Sequence, residues 1–365
     1  MKRRRRLYQY VLALSVILSL GTASQAAQEP SAEELRQLGR RTFAGGKYSE
    51  AERVLLLALQ KFETDNGAPE KTAETLGDLA AVWISQERYS EAEQLLHRAL
   101  RIMKTQNSAG QRHTPRLLGN LGTVYQLTGR FKMAEVTFNE ALRSAEEHLG
   151  AEAPYVAILL SNLGAVYSRA GKDKLAETNI RKALALGEKQ FGKDSIELQA
   201  TLINLAALYE RRKKWRDAES LLLRTLALVE NSLGREHPDG CFVLEHLGVV
   251  HSRQNKTKQA EMELRRALEI ERKIARAGGI RIASITFNLA RVLTADGKYE
   301  EAGMLYGETL DRQERSFGST APEVAITLEE YARLLRMKSD ALARQMEFRA
   351  KQIRAERAFT VTIDD

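Results

Sequence analysis

An Ala followed by Glu recurs at Ala51-Glu52, Ala92-Glu93, Ala134-Glu135, Ala176-Glu177, Ala218-Glu219 and Ala260-Glu261, and a seventh Ala stands at Ala302. The first step is 41 residues and the other five are 42. Composition does not generate such regularity. A period of this length means that each unit is one supersecondary element that buries its apolar face only by stacking on its neighbours. The 365 residues, which could otherwise fill two or three domains, therefore read as one extended architecture. Six prolines, and charged residues at 28% spread along the whole length, leave no Pro/Ser linker between modules.

Within each unit the pattern is helical. Thirteen residues before each anchor Ala a Leu is followed by a small residue: Leu38-Gly39, Leu79-Ala80, Leu121-Gly122, Leu163-Gly164, Leu205-Ala206, Leu247-Gly248 and Leu289-Ala290. Four residues on comes a bulky ring in most units, namely Trp83, Tyr125, Tyr167, Tyr209 and His251. This spacing is one stripe of a first helix. The anchor Ala, the residue four later and the small residue seven later (Ala58, Ala99, Ala141, Ala183, Thr225, Ala267, Thr309) form the stripe of a second. Small residues at fixed places predict close approach of two helix axes. Gly46, Gly129, Gly171 and Gly297, with Glu87, Lys213 and Asn255 at the matching points, predict a left-handed C-cap between the helices. Pro and Gly after the second stripe close each unit, so each is an αα-hairpin.

The order Leu-(Ala/Gly)-x-x-Tyr, Gly-x-(Tyr/Phe)-x-x-Ala-Glu, Ala-Leu resembles the tetratricopeptide repeat. The 42-residue period, Asn-Leu-(Ala/Gly) in the first helix and the linker Leu233-Gly234-Arg235-Glu236-His237-Pro238 resemble its kinesin-light-chain-like branch. The likeness covers about Ser31 to Ala358. It departs in the sixth unit, where Thr257 replaces the turn aromatic and Ala277-Gly278-Gly279-Ile280 replaces the linker. The resemblance implies an all-α superhelical solenoid with a concave inner face, a role in protein binding, and no catalysis. The expected layout is a signal peptide over 1–26, seven hairpins over 27–319, C-terminal capping helices over 320–358 and a tail over 359–365. In the final helix Leu342, Met346, Ala350 and Ile353 are expected to bury, with Arg344, Lys351, Arg354 and Arg357 facing water.

In such repeats the residue before the first-helix Leu projects into the groove, where an Asn can clasp the backbone of an extended peptide with both donor and acceptor. That residue here is Asn120, Asn162, Asn204, His246 and Asn288, with Asp78 in the second unit. The competing reading is a surface Asn that bonds a neighbouring hairpin. Two turns further stand Arg169, Arg211 and Arg253, a ladder suited to an acidic peptide. The bland alternative is three solvated Arg that complement helix C-termini.

The leader consists of a basic run, Lys2 to Arg6, an apolar stretch from Val11 to Leu20, and Ala23-Ser24-Gln25-Ala26, which are the parts of a secretory signal peptide. Its removal takes five positive charges, so 51 basic face 48 acidic residues and the formal +8 of the whole chain falls to about +3. The excess that suggested nucleic acid is mostly the leader, and nucleic acid is not an expected partner. An exported location in the periplasm or outside the cell follows; the alternative is an uncleaved N-terminal anchor. The lone Cys241, inside the apolar run Cys241-Phe242-Val243-Leu244, reads as a buried inert thiol. The six histidines include no His-Glu-x-x-His and no pair at i, i+4, and no phosphate-binding loop or nucleophile elbow occurs. No catalytic group, cofactor or metal is therefore expected, and the sequence leaves the partner's identity and the oligomeric state open.

Overall fold

The computed structural model describes residues 29–64, 69–105, 110–274, 280–337 and 341–361, and every regular element in them is helical. Sixteen α-helices follow one another among the described residues: α1 (Ala32–Ala44), α2 (Tyr48–Thr64), α3 (Pro69–Ser85), α4 (Tyr89–Met103), α5 (Thr114–Leu127), α6 (Phe131–Leu149), α7 (Pro154–Arg169) and α8 (Asp173–Phe191). The second half contains α9 (Gln199–Arg211), α10 (Trp215–Leu233), α11 (Pro238–Arg253), α12 (Thr257–Ile274), α13 (Ile280–Ala295), α14 (Tyr299–Phe317), α15 (Pro322–Met337) and α16 (Leu342–Val361). The expected leader and residues 275–279, which include most of the atypical sixth linker, lie outside the described residues. None of the described helices is long and apolar enough to cross a membrane.

The prolines mark where hairpins begin. Pro69, Pro154, Pro238 and Pro322 are first residues of α3, α7, α11 and α15, where a missing N–H costs nothing and a fixed φ suits the helix. Between the two helices of each of the first seven hairpins the chain turns through a left-handed residue. Gly46, Gly129, Gly171 and Gly297 take φ of 72°, 76°, 73° and 77°, and Glu87, Lys213 and Asn255 adopt the same conformation at 62°, 57° and 61° despite their side chains. The residue after it donates its N–H back to the ring-bearing position, as in Arg130 to the Tyr125 carbonyl at 2.8 Å and Lys256 to that of His251 at 2.8 Å.

That residue is basic in all seven units, and in five of them its side chain ties the unit to the one before; in the fifth unit Arg212 reaches Glu177 in place of Lys214. Arg88 reaches Glu52 at 2.7 Å, Arg130 reaches Glu93, Lys172 reaches Glu135 at 2.8 Å, Lys256 reaches Glu219 at 2.6 Å and Lys298 reaches Glu261 at 2.7 Å. The same glutamates receive the polar tips of the ring position: Trp83 Nε1 donates to Glu52 at 3.0 Å, and Tyr209 Oη to Glu177 at 2.9 Å. His251 Nε2 lies 3.0 Å from Glu219. The recurrent Ala-Glu is therefore a packing Ala beside an inter-unit latch, and a His fits where a Tyr usually stands because both offer a polar tip.

The small residue after the first-helix Leu packs against the residue 16 positions on. A Cβ on Gly122 would lie 2.8 Å from Phe138 Cε1, and one on Gly39 2.6 Å from Leu55 Cγ, distances that force the helices apart. One core runs from Ala51 through Val250, and a second continues from Cys241 to Leu334, so units six and seven stack despite the altered linker. α15 and α16 form an eighth hairpin that closes the stack, with Tyr306 and Tyr331 stacked at 5.5 Å. Leu342, expected in its core, is 49% exposed; as the first residue of α16 it precedes the point where the helix meets α15, and Ala343 buries instead. Ala350 and Ile353 are buried and Met346 packs beside them, as expected, while Arg344 and Lys351 face water. Exposed Arg354 pairs with Glu329 at 2.6 Å, and the Arg357 side chain lies outside the described ones.

First helices of most successive units also touch each other, α3 with α5 and α7 with α9 for example, whereas second helices do not approach to the same degree. Long side chains span the wider side instead, such as Arg98 to Glu63 at 2.6 Å and Arg272 to Glu308 at 2.8 Å. The stack is therefore tighter on the first-helix side, which makes that side the concave one.

Candidate binding face

The position before the first-helix Leu lies on the concave side and is half-buried at Asn120, Asn162, Asn204, His246 and Asn288. Its close neighbour is the preceding first helix. Asn120 Nδ2 reaches the Gly77 carbonyl at 3.5 Å, Asn204 Nδ2 donates to Ser161 Oγ at 2.9 Å and Asn288 Nδ2 to Glu245 at 3.0 Å, each partner 43 residues back. Their amide protons thus tie neighbouring hairpins together. Asn162 has no hydrogen-bond partner among the described residues. His246 differs: Nδ1 sits 2.7 Å from Glu210, and its ring lies 4.4 Å from that of Phe242. Burial pushes the His246 pKa down, but the hydrogen bond and charge of Glu210 outweigh it and raise it.

The Arg positions also divide. Arg211 pairs with Asp173 and donates to Ser168 at 3.3 Å. Arg169 and Arg253 are exposed with no ion-pair or hydrogen-bond partner among the described residues.

The concave side differs along its length. In units one to three it is filled by ions: Arg36, only 3% exposed, pairs with Glu74 and lies 3.3 Å from Asp78, which Arg116 reaches at 2.6 Å. Burial opposes the Arg36 charge, yet Glu33, Glu74 and Asp78 hold its pKa above the ordinary value. These groups satisfy one another. On α7, α9 and α11 the equivalent position, four residues before the Asn column, holds Ile158, Ala200 and Phe242. Ile158 is 51% exposed and Phe242 38%, with the small Ala200 between them. Three parallel columns result: Ile158, Ala200, Phe242; then Asn162, Asn204, His246; then Arg169, Arg211, Arg253. The apolar column was missed in the sequence because these residues sit in runs that read as core; counting back one turn from the Asn would have found it.

Among the described residues one cluster could hold a metal: Glu70, Glu74 and His113 bring ligand atoms within 4.8 Å of one another. Lys71, 3.1 Å from Glu74, and Arg36 already neutralise it, so a cation would have to displace them. Cys241 is buried, and burial pushes its thiol up to about 11, which leaves it protonated and inert as expected. A cavity of about 920 Å³ opens between α4 and α6 on the wider side, away from the three columns, and is lined by Met103, Leu118, Met133 and Val136.

A family model described as tetratricopeptide repeat matches residues 113–189, 197–273 and 281–354, and a second model of the same description matches 72–105. The third match extends into the last helix of the terminal hairpin. Among solved structures, the apo form of the quorum sensor NprR from B. thuringiensis superposes with a TM-score of 0.63 at 13% identity, covering 96% of this chain and 94% of that one. A signal-transduction ATPase with a tetratricopeptide repeat sensor, PH0952 from Pyrococcus horikoshii, gives 0.59 at 14% identity over 92% of this chain and 49% of that one. A putative kinesin light chain from Podosopora anserina with nearly identical TPR-like repeats gives 0.46 at 21% identity over 54% and 94%. No curated protein sequence matches the chain. At these identities the likeness is one of fold.

Proposed function

The chain belongs to the tetratricopeptide repeat family, and from that premise we propose that it is a non-catalytic scaffold of the cell envelope or secreted space. It binds an extended peptide or a segment of a partner protein along the concave face. The observation that carries this reading is the set of three columns on α7, α9 and α11, where apolar side chains and two cations stand exposed beside half-buried amides. An extended peptide would place side chains against Ile158 and Phe242, hydrogen-bond its backbone to the Asn162 amide, and set a carboxylate on Arg169 or Arg253. The 42-residue period and Asn-Leu-(Ala/Gly) pattern support a place in the kinesin-light-chain-like branch. Export rests on the basic run, apolar stretch and small residues of the first 26 positions.

A second reading is a membrane-tethered assembly factor with that leader retained as an anchor; the exposed Arg344 and Lys351 of the terminal helix favour it. Loss of the leader from the mature protein's mass would discard this alternative.

The test uses purified wild type and an Ile158→Ser/Phe242→Ser/Arg169→Ala/Arg253→Ala variant as baits in envelope extract, with captured proteins quantified by mass spectrometry. Asn204 and Arg211 stay intact because they hold neighbouring units. The variant should keep its circular dichroism and lose the partner. Equal capture by both baits would overturn the reading.

A further inference from the structure

Two residues before the anchor Ala stand Lys132, Lys174, Arg216 and Lys258, spaced by 42 residues each. They are the second residues of α6, α8, α10 and α12, and all four are exposed. None has an ion-pair or hydrogen-bond partner among the described residues. A cation in the first turn of a helix opposes the macrodipole; Asp173 and Asp217 accompany it in the first turns of α8 and α10, whereas the first turns of α2, α4 and α14 carry Glu50, Glu91 and Glu300-Glu301 with no cation at this rung. At the same rung units one and two have Ser49 and Ser90, and unit seven has Glu300. Four consecutive units thus keep an electrostatically unfavourable cation, and the run ends abruptly on both sides.

These cations differ from the turn residues Arg130, Lys172 and Lys256, which are engaged in the inter-unit latch. Around them the same edge exposes Lys213, and next in sequence stand Met133 and Leu175, 45% and 48% exposed, with half-buried Trp215 between Lys214 and Arg216. We propose that the turn edge of units three to six is a docking surface for an extended acidic segment of a partner protein, separate from the concave face. The footprint is finite: a bilayer plane laid on this edge would also meet Glu91 of unit two and Glu300 and Glu301 of unit seven. Its charge is sparse: exposed Asp217 follows Arg216, which disfavours the dense phosphates of a nucleic acid. Carboxylates spaced by apolar side chains match cations flanked by Met133 and Leu175.

The probe is a fluorescein-labelled peptide of about 20 residues, long enough when extended to cross several units, rich in Asp and Glu with Leu at intervals. Anisotropy should show binding to wild type that weakens as salt rises from about 0.05 to about 0.5 M. The Lys132→Ser/Lys174→Ser/Arg216→Ser/Lys258→Ser variant, which copies the Ser of units one and two, should bind at least about tenfold more weakly. Should that variant fail to fold by circular dichroism, Lys174→Ser/Arg216→Ser carries the measurement. The concave-face variant described above should bind this probe as wild type does. Loss in the concave-face variant with retention in the edge variant would overturn this inference while leaving the concave-face reading intact. Equal or tighter binding of phosphatidylglycerol vesicles or of a single-stranded oligonucleotide of the same charge would also overturn it.

Discussion

Arg130 clasps Glu93 across 37 residues, with Nη1 3.0 Å from Oε1 and Nη2 2.7 Å from Oε2. The guanidinium also covers the Tyr125 ring at 4.5 Å, while its backbone N–H caps the helix that carries that ring. One residue therefore ends α5, starts α6 and joins unit three to unit two. Its hydrogen bonds are what most lowers the Glu93 pKa.

Breaking this clasp should loosen the joint rather than unfold a single hairpin. Glu93→Gln is expected to cost about 1 kcal/mol, and a double-mutant cycle with Arg130→Ala to give a coupling of about 0.5–1 kcal/mol, small because the Arg130 side chain is 36% exposed. Hydrogen exchange should accelerate in α4 and α6 together. A coupling of zero would show the contact to be ornamental.

The same latch in the sixth unit predicts acid sensitivity. Burial pushes the Glu219 carboxyl up, but hydrogen bonds from Lys256, Gln254 and His251 outweigh it and bring it down to about 2. A carboxylate depressed in the folded state contributes stability above its unfolded value, about 4.3, and loses it as the pH falls through the folded one. The thermal midpoint should therefore drop between about pH 4.5 and pH 2. Glu219→Gln should be less stable at neutral pH and show a shallower drop.

His246 has the opposite sign. Its pKa is raised in the fold, so the stability drawn from Glu210 is fully present below the unfolded value, about 6.5, and is lost as the pH rises through the folded value. A proton NMR titration of the His246 ring should give a midpoint above 6.5, and Glu210→Gln should bring it down. A wild-type midpoint at or below 6.5 would contradict the pairing.

Lys213 takes a left-handed turn at φ 57° that costs a residue with a side chain about 1 kcal/mol. Lys213→Gly should raise the thermal midpoint by the equivalent of about 0.5–1 kcal/mol. Gly171→Ala, at φ 73°, should lower it by a similar amount. A shift of equal sign in both would refute the equivalence of the two turns.

The repeat, its hairpins and its left-handed turns were legible because they depend on spacing. A helix repeats every 3.6 residues and a stacked unit must repeat whole, so the period and the apolar stripes are written in one dimension. The left-handed state of Glu87 and Lys213 was inferred from register alone, since neither residue favours it. Leu342 was misjudged because burial at a helix start depends on where the partner helix begins.

The binding face was legible only in part. Sequence located Asn120, Asn204 and Asn288 on the concave side, but that they spend their amide protons on the preceding helix depends on the distance between helices, which only the stacked structure sets. Arg169, Arg211 and Arg253 are equivalent in sequence, yet Asp173 claims one and leaves two. The Ala-Glu pair shows the division most clearly. Its recurrence determined the architecture, because periodicity is a property of the chain; its purpose as a latch was decided only in three dimensions, because its partner lies one whole unit away.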